Sequence, residues 1–131
     1  MASIHREMVV AVPLEMVWDA VRDVGAVHTR LAVGFVTDTK METGARVVTF
    51  HNGIVARELI VDVDEAAKWL AWAVVGGRLV HHNASLQLFT EGAATRVVWI
   101  ADLLPNDMAG VVAGMIDDGM AAMKTTLERA R

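Results

Sequence analysis

The side chains with the clearest chemical potential lie in one segment, RLVHHNASLQL, which spans residues 78–88. His81 and His82 are adjacent there, and Asn83 and Ser85 follow them. A neutral imidazole can act as an acid or base, ligate a metal ion, or help to orient a bound molecule. The surrounding apolar residues indicate a β-strand, in which successive side chains face opposite ways. His81 and His82 are therefore expected on opposite faces of a sheet.

Alternation divides this strand into two rows of side chains. One row is polar and consists of His81, Asn83, Ser85 and Gln87. The other row is mostly apolar and consists of His82, Ala84, Leu86 and Leu88. Periodicity alone favours the apolar row in the interior. A polar interior row is costly unless its members are hydrogen-bonded or meet a ligand.

A metal centre is not favoured by the sequence. Such a site needs three or four converging ligands, so His28 and His51 would have to join the pair. No HxH or HxxxH spacing is present. The chain contains no cysteine, which excludes disulfides and thiol catalysis. No nucleophile–base arrangement is evident either, which favours binding over catalysis. We expect neither a metal nor another cofactor.

Glu58 is a second candidate for a polar group inside the protein. It is adjacent to Arg57, so only one of the two can face inward on a strand. Leu59, Val61 and Val63 are an even number of residues from Arg57, so alternation would place these apolar side chains on the same face as Arg57. This pattern favours Arg57 inside. A surface position is the commoner outcome for either charge, and the choice stays open at this point.

Composition narrows the classes of function. The chain has 131 residues, which fits one domain over residues 1–131. Hydrophobic residues make up 54% and the mean hydropathy is +0.39, which indicates a large core, an apolar cavity or an apolar interface. The net charge of −4 and the lack of a basic run argue against nucleic acid as a partner. No uncharged run is long enough to span a bilayer, and no signal-peptide cleavage site follows the first strand, so a cytoplasmic location is expected.

The elements that must position these residues begin with one strand and one helix. A Val-rich strand at residues 4–12 precedes Pro13, which suits the first turn of a helix, and Gly25 ends that helix. About six antiparallel strands follow between residues 35 and 104. The pair Asn52-Gly53 is a typical two-residue hairpin turn between two of them. This order predicts an α+β fold.

A long helix at residues 108–130 closes the chain, with Asn106 or Asp107 as its cap. Its apolar stripe consists of Val112, Met115, Ile116, Gly119, Met123 and Leu127. Gly119 costs about 1 kcal/mol relative to alanine in a helix, which room for a ligand or close packing against a strand would explain. A curved sheet must bury its apolar side against this helix, and the space between them predicts an apolar cavity for an apolar ligand.

Two motifs resemble those of the START-like, or SRPBCC, superfamily, whose architecture is the helix-grip fold. The segment AVPLEMVW at residues 11–18 is similar to its opening A-x-P-x-E-x-V-W pattern. The segment TRVVW at residues 95–99, followed by Asp102 and Pro105, resembles its seventh strand. The resemblance covers nearly the whole chain. It implies about seven antiparallel strands wrapped around the C-terminal helix, with short helices after the first strand.

Residues 72–85 are also similar to a stretch of the plant abscisic acid receptors within this superfamily. This likeness implies that Ser85 faces the cavity, which would bring His81 and Asn83 inward with it. The receptors have one residue fewer between their Arg-Leu pair and this serine. Trp72 matches a pocket aromatic, with Val74 on the same face, and the superfamily mildly favours Glu58 over its neighbour as the inward charge.

The function expected from these residues is the binding of a small hydrophobic molecule that is lipid-like, aromatic or polyketide-like. Trp72, Val74, Trp99, Met115 and Gly119 would form the walls of the cavity. His81, Asn83 and Ser85 would orient the ligand. The alternative is a polyketide cyclase or dehydratase with His81 or Glu58 as the acid–base group.

A homodimer is the expected assembly. Residues 70–75 and 97–104 are apolar on both faces of their strands. Both faces cannot belong to one concave core, so a second copy would cover the convex face.

Overall fold

The computed structural model describes residues 1–130, and within them the chain forms a seven-stranded sheet and two α-helices. The strands are β1 (Ala2–Val10), β2 (Val36–Glu42), β3 (Ala45–Phe50), β4 (Val55–Asp64), β5 (Trp69–Val75), β6 (His81–Glu91) and β7 (Ala94–Leu104). The helices are α1 (Leu14–Arg22) and α2 (Ala109–Ala130), and one helical turn, Val27–Leu31, precedes β2. The predicted α+β helix-grip architecture is confirmed.

The sheet has the order β1-β7-β6-β5-β4-β3-β2, and every neighbouring pair is antiparallel. The register shifts once in β2, between Val36 and Asp38, and once in β4, between Ile60 and Asp62. Such bulges bend a strand and increase its twist. The sheet therefore curves, and α2 lies in its concave face.

Cross-strand register determines which side chains meet on that concave face. Leu86 of β6 is opposite Trp99 of β7, and Ala84 of β6 is opposite Trp72 of β5. The helix contributes four buried side chains, Ile116, Met120, Met123 and Leu127. Three of these belong to the predicted apolar stripe, so its helical period is confirmed.

Helix α1 begins directly after Pro13, whose φ of −60° suits a helix start. Val17 and Trp18 are buried on its inner face. The Trp18 indole N–H donates to Glu65 Oε2 (2.6 Å), and Arg22 Nε donates to Glu65 Oε1 (2.8 Å). These hydrogen bonds lower the pKa of the Glu65 carboxyl. The contacts fix α1 against the β4–β5 turn.

Two local predictions are wrong in detail. No side chain caps the turn that leads into α2, because the Met108 N–H bonds to the Pro105 carbonyl (3.1 Å) and the short helix Asn106–Met108 starts from Pro105. The β3–β4 connection is wider than a two-residue hairpin and spans residues 51–54. Within it, Asn52 Oδ1 accepts from the Ile54 N–H (3.1 Å).

Among residues 1–130, no helix combines the length and apolarity needed to cross a membrane.

Candidate functional site

A cavity of about 380 Å³ lies between the concave face of the sheet and α2. Most of its lining side chains are aliphatic or aromatic. Typical wall residues are Leu31, Phe35, Val48, Leu70, Leu86 and Val112. Its opening lies beside the β3–β4 and β5–β6 loops and the first turn of α2, where the lining residues Ile54, Val55 and Val111 are exposed. Burying an uncompensated charge in an apolar space of this kind would be costly.

The residues predicted as walls all line this cavity, namely Trp72, Val74, Trp99, Met115 and Gly119. Trp72 and Trp99 meet edge to face, with ring centroids 5.7 Å apart. Such aromatic pairs give a rigid apolar surface. Contact of these residues with a ligand stays a prediction.

Gly119 is required by close packing. A Cβ atom there would lie 3.1 Å from Phe35 Cε2 and 3.2 Å from Trp99 Cζ3. Both distances are shorter than ordinary van der Waals contact. The glycine therefore lets α2 approach two aromatic walls of the cavity. Of the two explanations for a helical glycine, packing has direct support.

The predicted orientation of β6 is wrong. His82 lines the cavity and is buried, whereas His81 and Asn83 are exposed on the outer face of the sheet. Ser85 is half-buried on that same outer face, opposite Ile100 of β7. The physical reason is the burial of the apolar row, which turns the polar row away from α2.

The outer polar row forms a surface hydrogen-bond network. His81 Nε2 lies 2.8 Å from Asn83 Oδ1, and Asn83 Nδ2 donates to Asp102 Oδ2 (3.0 Å). Hydrogen bonds from Ser3 and Asn83 lower the pKa of the Asp102 carboxyl. These groups satisfy one another on the surface, away from the cavity.

His82 is fixed at a point where sheet pairing stops. The pairing of β5 with β6 ends at Trp72 and Ala84, so the Val74 N–H has no strand partner on that side. His82 Nδ1 accepts that N–H at 3.0 Å. Since Nδ1 is the acceptor, the proton of the neutral imidazole resides on Nε2. Burial, with a smaller contribution from His81, lowers the pKa of His82 from 6.5 to about 4.

A buried ion pair forms the second polar feature of the cavity wall. Arg46 of β3 and Glu58 of β4 are opposite each other, and Arg46 Nε donates to Glu58 Oε1 at 2.7 Å. The two residues are only 5% and 8% exposed. Arg46 also donates to the Val24 carbonyl (3.2 Å) and lies 5.7 Å from the Trp72 ring centre. This arrangement resolves the question left open by the sequence: Glu58 faces inward.

Its neighbour Arg57 faces outward and pairs with Glu42 on the surface, at 2.8 Å. Sequence reasoning missed Arg46 altogether. The available signal was a cation on the preceding strand opposite Glu58. Recognising that signal requires knowledge of how β3 and β4 pair. Among residues 1–130, no group of three His, Asp or Glu side chains converges as a metal site would require.

Comparisons with known proteins agree with this architecture. A family model described as polyketide cyclase / dehydrase and lipid transport matches residues 1–128. An uncharacterized protein from Bacillus thuringiensis superimposes with a TM-score of 0.84 at 15% identity, over 96% of this chain and 98% of the other. A START superfamily protein from Mycobacterium smegmatis gives 0.77 at 13% identity, over 98% and 99% of the two chains.

A point mutant of norcoclaurine synthase from Thalictrum flavum, in complex with a transition-state analogue, is also similar. Its TM-score is 0.70 at 16% identity, over 98% of this chain and 95% of the other. Likeness at these identities is evidence for the fold alone. No functionally curated protein matches this chain in sequence.

Proposed function

The chain belongs to the polyketide cyclase, dehydrase and lipid transport family, and from that membership we propose that it binds a small hydrophobic molecule between the sheet and α2. The observation that carries the proposal is the apolar cavity of about 380 Å³. That volume lies within the range of small-molecule sites, about 300–1,000 Å³. A lipid-like, aromatic or polyketide-like molecule fits such a space.

The walls suit a ligand with a flat apolar part. Trp72 and Trp99 offer rigid ring surfaces on the sheet side. Met115 on α2 offers an unbranched side chain that adapts its shape to a ligand. Rigid walls on one side and an adjustable wall on the other support selective binding of an apolar molecule.

A polyketide cyclase or dehydratase activity is the alternative, with His81 or Glu58 as the acid–base group. His81 is exposed on the outer face, and Glu58 is ion-paired with Arg46. Neither group stands free beside the cavity as a proton-transfer group must. Binding is therefore the better-supported proposal. Turnover that disappears in His81→Ala while ligand binding persists would favour the enzyme.

The convex face supports a homodimer. Val61 of β4 and Val75 of β5 are exposed large hydrophobic side chains. A second copy of the chain would cover them. Light scattering coupled to size-exclusion chromatography at micromolar concentration measures the mass. A monomer mass would contradict the proposed dimer. Detection of the protein outside the cytoplasm would contradict the expected location.

A cavity-filling variant tests the binding proposal. Met115→Trp places a larger side chain in the cavity, and Thr125→Trp adds the same group at an exposed position of the same helix. The measurement is the fluorescence of an uncharged propyl-substituted dimethylaminonaphthalene, whose emission changes on leaving water. We expect the probe to bind saturably to the native protein and to Thr125→Trp. In Met115→Trp the affinity for the probe should fall tenfold or more, which corresponds to about 1.4 kcal/mol of binding free energy. No binding to the native protein would refute the proposal.

A further inference from the structure

The deep part of the cavity carries charged groups but no net charge. Arg46 and Glu58 neutralise each other across 2.7 Å. His82 is neutral at physiological pH because its pKa is about 4. Arg78 also lines the cavity, but it is exposed at the opening, where water solvates its charge. The interior therefore offers no uncompensated charge to an ionised ligand.

Outside the Arg46–Glu58 ion pair, the polar atom available in this wall is a hydrogen-bond donor on His82. His82 Nδ1 is occupied by the Val74 N–H, so Nε2 carries the ring proton. Among residues 1–130, Nε2 has no hydrogen-bond partner. The Trp99 indole nitrogen also lacks a partner within that range, but it is enclosed by the surrounding atoms, whereas His82 Nε2 is not. A donor in an apolar wall calls for an acceptor supplied from outside the protein.

We propose that the ligand is an uncharged molecule with a carbonyl-type oxygen, and that this oxygen accepts the Nε2–H of His82. This inference rests on the proposed binding function and specifies its ligand class. It also assigns His82 the role of a donor. Because Nδ1 accepts the Val74 N–H, Nε2 already carries the ring proton. Nε2 therefore cannot remove a proton from a ligand.

A carboxylate ligand is disfavoured by the same geometry. Moving an ionised carboxylate from water into an apolar space is costly unless a cation meets it. Arg46 is the only cation deep in the wall among the described lining residues, and Glu58 already balances its charge at 2.7 Å. A ketone, ester or similar neutral group has no such cost and gains one hydrogen bond.

Three matched probes separate these ligand classes. All are dimethylaminonaphthalenes that carry a propionyl group, a propyl group or a carboxylate at the same ring position. The native protein is expected to prefer the ketone to the propyl probe by about three- to tenfold, the typical net value of one hydrogen bond. It is expected to bind the carboxylate more weakly than either neutral probe. Equal affinity for the ketone and propyl probes, or tighter binding of the carboxylate, would overturn the inference.

The variant His82→Asn removes the proposed Nε2 donor. Its Oδ1 atom can take the position of Nδ1 and accept the Val74 N–H, and its Nδ2 amide then takes the position of ring Cδ2, one bond short of the point that Nε2 reaches. The matched control is His81→Asn, on the outer face of the same strand. We expect His82→Asn to lose the ketone preference and to keep its affinity for the propyl probe, with His81→Asn unchanged. A ketone preference that survives in His82→Asn contradicts the assignment.

The two proposals fail in different ways. If none of the three probes binds the native protein, the binding function itself is wrong, and the ligand class is wrong with it. If the propyl probe binds as tightly as the ketone, the cavity binds apolar molecules but His82 does not select among them. Only a preference for the ketone that depends on His82 supports both.

Discussion

At the scale of single residues, His82 makes stability depend on pH. Its pKa is lowered from 6.5 to about 4 in the folded protein, chiefly by burial. The unfolded chain therefore binds a proton near pH 6.5, whereas the folded protein does so only near pH 4. Between these values the unfolded state holds more protons, so stability falls as the pH falls through this window. The full loss from this group is roughly 3 kcal/mol.

The pH dependence is measured by urea unfolding at several pH values between 4 and 7. Other ionisable groups also contribute to the pH dependence of stability, so the variant is needed to isolate His82. We expect His82→Asn to unfold with a clearly shallower loss of stability than the native protein. His81→Asn should retain most of the native slope. Equal slopes for His82→Asn and the native protein would mean that His82 is protonated in the fold as easily as in water.

The buried Arg46–Glu58 pair predicts a second effect on stability. Glu58→Gln leaves the guanidinium of Arg46 buried without its counter-ion, which costs roughly 3 kcal/mol of unfolding free energy. The matched control is Glu42→Gln, which removes the partner of Arg57 at the surface. That change should cost at most about 1 kcal/mol, because water screens an exposed pair. Urea unfolding at neutral pH measures both, and similar costs for the two variants would show that the inner pair is solvated.

At the scale of elements, two of the three glycines of α2 have opposite surroundings. A Cβ atom at Gly114 meets nothing within 4 Å, whereas one at Gly119 meets Phe35 and Trp99. Gly114→Ala should therefore stabilise the protein by up to about 1 kcal/mol, through helix propensity alone. Gly119→Ala should lose that gain, because the two rings must shift to admit the methyl group, at a cost of about 1–3 kcal/mol. Thermal unfolding compares them, and equal stabilisation by both would refute the packing role of Gly119.

The orientation of β6 illustrates how far a sequence can specify an element. Alternation separated its two rows correctly, and burial of Leu86 and Leu88 follows from that pattern. The likeness to the plant abscisic acid receptors favoured Ser85 inside. Those receptors, however, have one residue fewer between their Arg-Leu pair and the serine. A shift of one residue exchanges the two faces of a strand. The difference in spacing was therefore the better guide than the matching serine.

The orientation of β4 could not be predicted from alternation. Arg57 and Leu59 share one face, but the bulge between Ile60 and Asp62 changes the parity of the residues after it. Val63 pairs with Leu70 of the concave row, so it does not share the face of Arg57. A bulge depends on how two strands pair, and the sequence of one strand does not reveal it.

At the scale of the whole molecule, the order of elements predicted an α+β fold with a cavity, and the resemblance to the START-like superfamily implied the helix-grip architecture. A strand, a helix, a run of antiparallel strands and a final helix leave few ways to bury the apolar faces. The polar groups of the cavity were harder to predict. Arg46, Glu58 and His82 come from three different strands, and only the register brings them to one wall. Their combined chemistry, a charge-balanced ion pair together with a histidine donor, is a property of the assembled sheet.

The central claim is that the space between sheet and α2 is a ligand site, and the tryptophan indole N–H signals test it most directly. In a proton–nitrogen NMR spectrum, Trp72 and Trp99 report on the cavity and Trp69 reports on the outer face of the same sheet. We predict that titration with the propionyl probe shifts the Trp72 and Trp99 signals saturably and leaves the Trp69 signal in place. Unchanged Trp72 and Trp99 signals at saturating probe, or a shift confined to Trp69, would contradict the account.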